Sequence, residues 1–277
     1  MQVVESVPAL RDALAPLPRP LGLVPTMGYL HRGHLALVRC ARVRNASVAV
    51  SIFVNPAQFG PHEDLARYPR DLPRDLALLE KERVDLVFAP PAEQMYPPGY
   101  DTWVQVERLA QRLEGASRPG HFRGVCTVVL KLFNLFRPER AYFGQKDAQQ
   151  ALIVQRMAAD LNTGVEVVVV PTVREADGLA MSSRNVYLNP QERQAATVLY
   201  RALSLARTLY EDGERNAEVI RERMRSLLQQ EPLARIDYIS IANAQTLEEL
   251  ERLDRPALVS LAVFIGSTRL IDNITLG

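Results

Sequence analysis

Up to Pro171 the chain alternates short apolar runs with segments of helical spacing. Residues 21–25, 47–54, 85–88, 140–143 and 165–170 read as strands, apolar on both faces. Between them, residues 34–44 place apolar side chains at 35, 37, 38 and 41, a helical period. Residues 71–82, 125–136 and 147–161 also read as helices. Such an alternation predicts an α/β fold with a parallel sheet and helices on both faces. The segment 89–99 carries four prolines and reads as a loop or insertion at the sheet edge.

After Pro171 the pattern changes. Residues 190–210 and 215–229 predict two amphipathic helices, with Asp212-Gly213 as the stop between them. Strand-like runs follow at 236–241 and 258–265, with a short third at 268–271. This reads as a smaller C-terminal α+β domain. The change falls near 172–185 and divides the chain into 1–172 and 173–277. A chain of 277 residues is long enough for two domains at roughly 100–200 residues each.

Charge excludes some partners. Lys+Arg is 33 and Asp+Glu is 32, so no basic excess points to nucleic acid. No apolar run approaches the ~18 residues of a membrane span. The first twelve residues contain Glu5 and Asp12 without a basic stretch before an apolar core, so no secretory signal is expected. Two cysteines, Cys40 and Cys126, are too few for a disulfide framework and read as a buried thiol and a small core residue. A cytoplasmic protein follows as the expectation. The cations are chosen unevenly: Lys81, Lys131 and Lys146 are the three lysines, and His31, His34, His62 and His121 the four histidines.

Several of these rare residues sit where strands end. Pro25-Thr26-Met27-Gly28-Tyr29-Leu30-His31-Arg32-Gly33-His34 follows a strand and opens a helix. Ligands of open α/β sheets bind at that end. Free N–H groups and the helix dipole favour an anion there, and two imidazoles would add donors for phosphate oxygens. Capping or solvated histidines are the plainer reading of H-x-x-H alone. Phe143-Gly144-Gln145-Lys146-Asp147 repeats the setting, with Lys146 as a point charge and Asp147 as a ribose acceptor or helix cap. One of Gln149 and Gln150 is expected to face the cleft. Residues 171–185 bring Ser182, Ser183 and Arg184 together after a glycine turn, suited to phosphate or to a polar linker. Phe53-Val54-Asn55-Pro56-Ala57-Gln58-Phe59 offers neutral polar groups, or simply a turn. Arg118-Pro119-Gly120-His121-Phe122 reads as a loop before an apolar helix, and His62 as a surface-loop residue. No Walker or dinucleotide-binding glycine motif is present.

Together the segments Val24 to His34, Ser51 to Gly60, Tyr68-Pro69-Arg70, Arg118 to Gly124, Phe143 to Gln150 and Pro171 to Asn185 resemble the pantoate–β-alanine ligase family. The first segment alone resembles the broader nucleotidylyl-transferase superfamily with its H-x-G-H element. The resemblance implies a Rossmann-like N-terminal domain, a smaller domain closing over the cleft, and a homodimer. It implies that pantoate and ATP, with Mg2+, form pantoyl adenylate and pyrophosphate, and that β-alanine then displaces AMP. His31, His34, Lys146, Ser182 and Arg184 would meet the phosphates. Pro25, Thr26, Met27, Gly28, Gly144, Gln145, Asp147, Val173, Met181 and Ser183 would complete the ATP site. Gln58, Gln150, Asn55, Met27, Arg118 and His121 would serve pantoate. Magnesium ligands are not assigned. A carboxylate nucleophile, ionised above a pKa near ~4, needs no general base, which fits a sequence rich in phosphate donors. A nucleotidylyl transferase acting on a phosphorylated acceptor, or a non-catalytic nucleotide-binding module, would use the first motif without the ligation.

Overall fold

The computed structural model describes residues 1–61 and 63–277; the surface-loop expectation for His62 lies outside the described residues. The chain forms two compact units, one of residues 1–145 and 149–171, the other of 146–148 and 172–277.

The first unit runs β1 (Gln2–Val4), α1 (Val7–Leu14), β2 (Leu21–Thr26), α2 (Arg32–Arg44), β3 (Ser47–Ile52), α3 (Leu72–Lys81), β4 (Leu86–Phe88), α4 (Ala92–Met95), α5 (Glu114–Ser117), α6 (His121–Phe136), β5 (Arg140–Gly144), α7 (Ala148–Asp160, whose first residue groups with the second unit) and β6 (Glu166–Val170). Its sheet has the order β1-β4-β3-β2-β5-β6, with every pairing parallel. Alternation along the strands separates the two faces. Val24, Val48, Val50 and Val87 join one buried cluster with Leu35 and Val38 of α2 and Leu79 of α3. Phe88, the neighbour of Val87, packs edge-on against Phe136 of α6, with ring centroids 6.0 Å apart. Successive strand residues point to opposite faces, so α6 covers the second face.

The chain turns from β2 to β3 on one side and from β5 to β6 on the other, so the β2/β5 boundary is the switch point of the sheet. Here the ladder is short. β2 and β5 pair only at Gly22–Arg140 and Leu23–Ala141, whereas β2 pairs with β3 up to Thr26 and β5 with β6 up to Gly144. The two strand ends are therefore unpaired with each other at the carboxyl edge, the place where ligands of open α/β sheets bind.

Several readings of the sequence need correction. β1 and α1 precede the first expected strand, and β1, only three residues long, takes the sheet edge beside β4. The proline-rich 89–99 segment thus follows an inner strand, and it contains α4. Cys40 is half-buried because it lies at the flank of the α2 cluster; Cys126 is buried, and burial pushes its thiol up to about 11.

The second unit packs α8 (Pro190–Ala195), α9 (Val198–Glu211) and α10 (Ala217–Leu228) with the antiparallel sheet β7 (Ala234–Asn243), β8 (Ala257–Ile265), β9 (Thr268–Leu276). The single helix expected over 190–210 is interrupted at Thr197, whose hydroxyl donates to the Gln194 carbonyl. Gly213, at φ 98°, ends α9 where expected. No helix among the described residues is long and apolar enough to cross a membrane.

Within the first unit α6 lies backbone-to-backbone on the 3₁₀ turn Pro56–Gln58: a Cβ on Gly124 would stand 2.2 Å from the Ala57 carbonyl oxygen and 2.6 Å from the Gln58 nitrogen. Gly124→Ala must push the helix off the turn. We expect a loss of stability of at least ~1–3 kcal/mol, as for overpacked cores, read from urea denaturation.

Candidate active site

The β2–α2 connection is built from inside. Thr26 Oγ1 donates to the Ser51 carbonyl and accepts from the Gly28 amide, at 2.8 and 3.2 Å. Gly28 has φ 83°, a region glycine enters freely. Helix α2 then begins with an unusual cap. His31 Nδ1 accepts from the Gly33 amide at 3.1 Å, and His34 Nδ1 accepts from the His31 amide at 3.3 Å. The rings lie together, with centroids 4.1 Å apart. A ring nitrogen that accepts carries no proton, so each neutral ring holds its proton on Nε2. Both histidines are thereby set as Nε2–H donors, the form that suits phosphate oxygen. The same geometry corrects the expectation of free backbone donors. The Tyr29 and Leu30 amides donate to Asp75, and those of His31 and Gly33 to the two rings.

The neutral polar patch is equally well braced. Asn55 is buried and uses all its hydrogen-bonding capacity. Its Oδ1 accepts from the Ala57 amide and the Tyr96 hydroxyl, and its Nδ2 donates to the Gly124 carbonyl and to Gln58 Oε1. Backbone partners fix the polarity of Asn55, so Gln58 must present Nε2, which points at Met27 Sδ at 3.2 Å. Gln58 is thus an N–H donor by construction, suited to a carboxylate or hydroxyl oxygen.

Arg118 and His121 support this turn. Arg118 makes a bidentate pair with Glu63, at 2.7 and 2.6 Å, and faces His121 Nε2 at 3.2 Å. His121 is the first residue of α6 rather than part of the loop before it. Its Nδ1 donates to the Gln58 carbonyl at 2.8 Å. Burial, and then the Arg118 charge, lower its pKa to about 4. Burial acts against Glu63, yet Arg118 holds its carboxyl below the ordinary range. Tyr96 and Glu63 are partners that the sequence reading did not single out. Nothing in a run such as Gln94-Met95-Tyr96 announces a contact with Asn55, 41 positions away.

At the end of β5, a Cβ on Gly144 would meet nothing within 4 Å. Gln149 of α7 is buried; it accepts from the Glu114 amide and donates to the Leu109 and Arg112 carbonyls. Its side chain therefore holds residues 109–114, whereas Gln150 is half-buried.

In the second unit the Lys146 carbonyl accepts from Asn273 Nδ2 at 2.8 Å, and its ammonium lies 3.6 Å from Asp147. Asp147 ends the 3₁₀ turn before α7. The Met181 amide donates to the Val173 carbonyl, and Arg174 bridges to Ala180, closing a tight loop. Arg174 anchors that loop through a bidentate pair with buried Asp272, at 2.6 and 3.0 Å. Ser182 Oγ accepts from the Arg184 amide and caps the 3₁₀ turn Ser183–Tyr187. Its O–H remains a donor while the oxygen caps.

A pH effect follows from His121. The unfolded ring takes its proton near 6.5 and the folded ring only near 4. Its contribution is complete above pH 6.5 and lost as pH falls toward 4, on the order of 3 kcal/mol. His121→Gln removes this acid sensitivity, so the stability gap between the two proteins should narrow from pH 7 to pH 4 in urea denaturation.

The family model for pantoate-beta-alanine ligase matches residues 2–275. A pantothenate synthetase from Roseiflexus sp. (strain RS-1) is 62% identical over 276 residues, covering 100% of this chain and 99% of that protein. The crystal structure of pantothenate synthetase from Thermus thermophilus superposes with a TM-score of 0.95 at 54% identity, over 99% of each chain. That of a pantoate-beta-alanine ligase from Francisella tularensis, complexed with beta-gamma ATP and beta-alanine, gives 0.82 at 33% identity, over 99% of this chain and 97% of that one. Unpaired strand ends at the switch point, a pair of capping histidines and a match along nearly the whole length agree: the chain belongs to the pantoate–β-alanine ligase family.

Proposed function

We propose that this protein is an ATP-dependent ligase that joins pantoate to β-alanine, giving pantothenate, AMP and pyrophosphate. The observation that carries the reading is the pair of tautomer-fixed histidines at the unpaired end of β2, within a chain whose relatives are pantothenate synthetases along their whole length. A pantoate carboxylate oxygen attacks the α-phosphorus and the bond to pyrophosphate breaks. The neutral amine of β-alanine then attacks the acyl carbon, and AMP leaves. The first nucleophile is already ionised, so the residues align the reactants and stabilise charge rather than abstract a proton.

His31, His34, Lys146, Ser182 and Arg184 are assigned to the phosphates. The adenosine part falls to Gly144, Asp147 and Val173, with Pro25, Thr26, Met27, Gly28, Gln145, Met181 and Ser183 around the nucleotide. Gln58 and Gln150 hold pantoate. Asn55, Arg118 and His121 act there through Gln58, whose amide and carbonyl they fix. Mg2+ is assigned to the triphosphate, where it would neutralise charge. Mg2+ of this kind commonly keeps several waters and is bound largely through substrate phosphates. The protein is proposed to act as a cytoplasmic homodimer. Its two free cysteines suit a reducing compartment, and the dimer rests on the family resemblance.

ATP–pyrophosphate exchange tests the reading: label should enter ATP only when pantoate is present. Exchange without pantoate, or a product that retains the nucleotide, would favour the nucleotidylyl transferase. Lys146→Ala should lower turnover by roughly 10²–10³ without unfolding, as for loss of one charge-stabilising donor. His34→Ala should slow pyrophosphate release in a single turnover.

A further inference from the structure

Asp75 lies in the first turn of α3, where an acid reads simply as dipole compensation. In the fold it is only 1% exposed. Its two carboxylate oxygens each accept one amide of the β2–α2 turn, Oδ2 from Tyr29 and Oδ1 from Leu30, both at 2.7 Å. Tyr29 sits at φ 51°, where a side chain is strained. Arg74 closes the other side: Nη2 donates to the Leu30 carbonyl at 3.1 Å, and its guanidinium lies 4.9 Å from the Tyr29 ring centroid. A Cβ at Gly28 would stand 3.2 Å from Asp75 Oδ2, so the turn fits closely over the carboxylate.

We propose that Asp75 is a positioning residue for His31 and His34: its carboxylate is a built-in anion that holds Gly28-Tyr29-Leu30 and so sets where the two Nε2–H donors stand. Two successive amides, one beside a left-handed residue, form a cradle that binds anions. Here the protein fills that cradle itself, and the nucleotide is left to the imidazoles. Burial raises the carboxyl pKa above its ordinary value, and the two amides oppose but do not cancel that rise. The inference rests on the assignment of His31 and His34 to ATP.

The test compares pantoate-dependent ATP–pyrophosphate exchange in the full chain, Asp75→Asn, Asp75→Asn/Tyr29→Gly and His34→Ala, each corrected for its folded fraction. The amide side chain can satisfy only one of the two N–H groups. Asp75→Asn should lower kcat for exchange at least tenfold and leave KM for pantoate within twofold. Tyr29→Gly, which adopts a positive φ without strain, should restore at least threefold of that loss. An Asp75 that merely stabilised the fold would gain nothing from the glycine. Wild-type exchange in Asp75→Asn, with His34→Ala inactive, overturns the inference and leaves the proposed function standing. Wild-type exchange in His34→Ala overturns the histidine assignment and the inference with it. Hydrogen exchange of the unmutated chain gives a second reading, independent of how the variants fold. The Tyr29 and Leu30 amides should be protected without ATP and change less than twofold on its addition. A tenfold gain on adding ATP would mean that they serve the nucleotide, and the proposal fails.

Discussion

Nδ1 of His31 and Nδ1 of His34 each accept a backbone amide, so a proton on either Nδ1 would cost a hydrogen bond at the start of α2. Much else in the first unit depends on that cap. An N-cap aspartate would satisfy the helix equally well but would offer no donor, and an N-cap serine would keep only a short hydroxyl one. Imidazole serves both ends: one nitrogen finishes the helix and the other offers a proton. The turn before it must therefore bend through Gly28 and the left-handed Tyr29, and a carboxylate buried beneath must receive the amides that the bend turns inward. The short β2–β5 ladder leaves the end of β2 unpaired on that side, just before this turn at the switch point of the sheet.

The same economy recurs at Gln58. Its side-chain polarity follows from Asn55, which follows from two backbone groups, and its carbonyl is held by a histidine kept neutral by burial. In the second unit β9 does comparable work. Asp272 anchors Arg174 and hence the loop that leads to Ser182, while the adjacent Asn273 holds the Lys146 carbonyl. Residues that present chemistry are seldom those that place it.

This division explains what could be read in the sequence. The strands of the first sheet are apolar on both faces, so β2, β3, β5 and β6 are legible within a few residues of their ends. His31, His34, Gln58 and Lys146 stand in recognisable strand-end motifs, and Ser182 in a loop that follows a glycine turn. β9 is another matter. It runs to Leu276, yet its apolar pattern stops at Ile271, because Asp272 and Asn273 are buried for their hydrogen bonds rather than their hydrophobicity. Asp75 is hidden for a related reason: it lies 45 and 46 positions from the amides it holds, and a helix start explains it well enough in one dimension. Arg118 and His121 are legible as a local pair, but their work is set by Glu63 and the Gln58 carbonyl, which only the fold brings near.

The phosphate-donor role of the cap depends most on the protonation of the two rings. Nitrogen-15 NMR of histidine-labelled protein at neutral pH reads it directly. His31 and His34 should both appear as neutral rings with the proton on Nε2 and an unprotonated, hydrogen-bonded Nδ1. A proton on Nδ1 of either ring, or doubly protonated rings in the folded protein, would contradict the cap and the phosphate-donor role built on it.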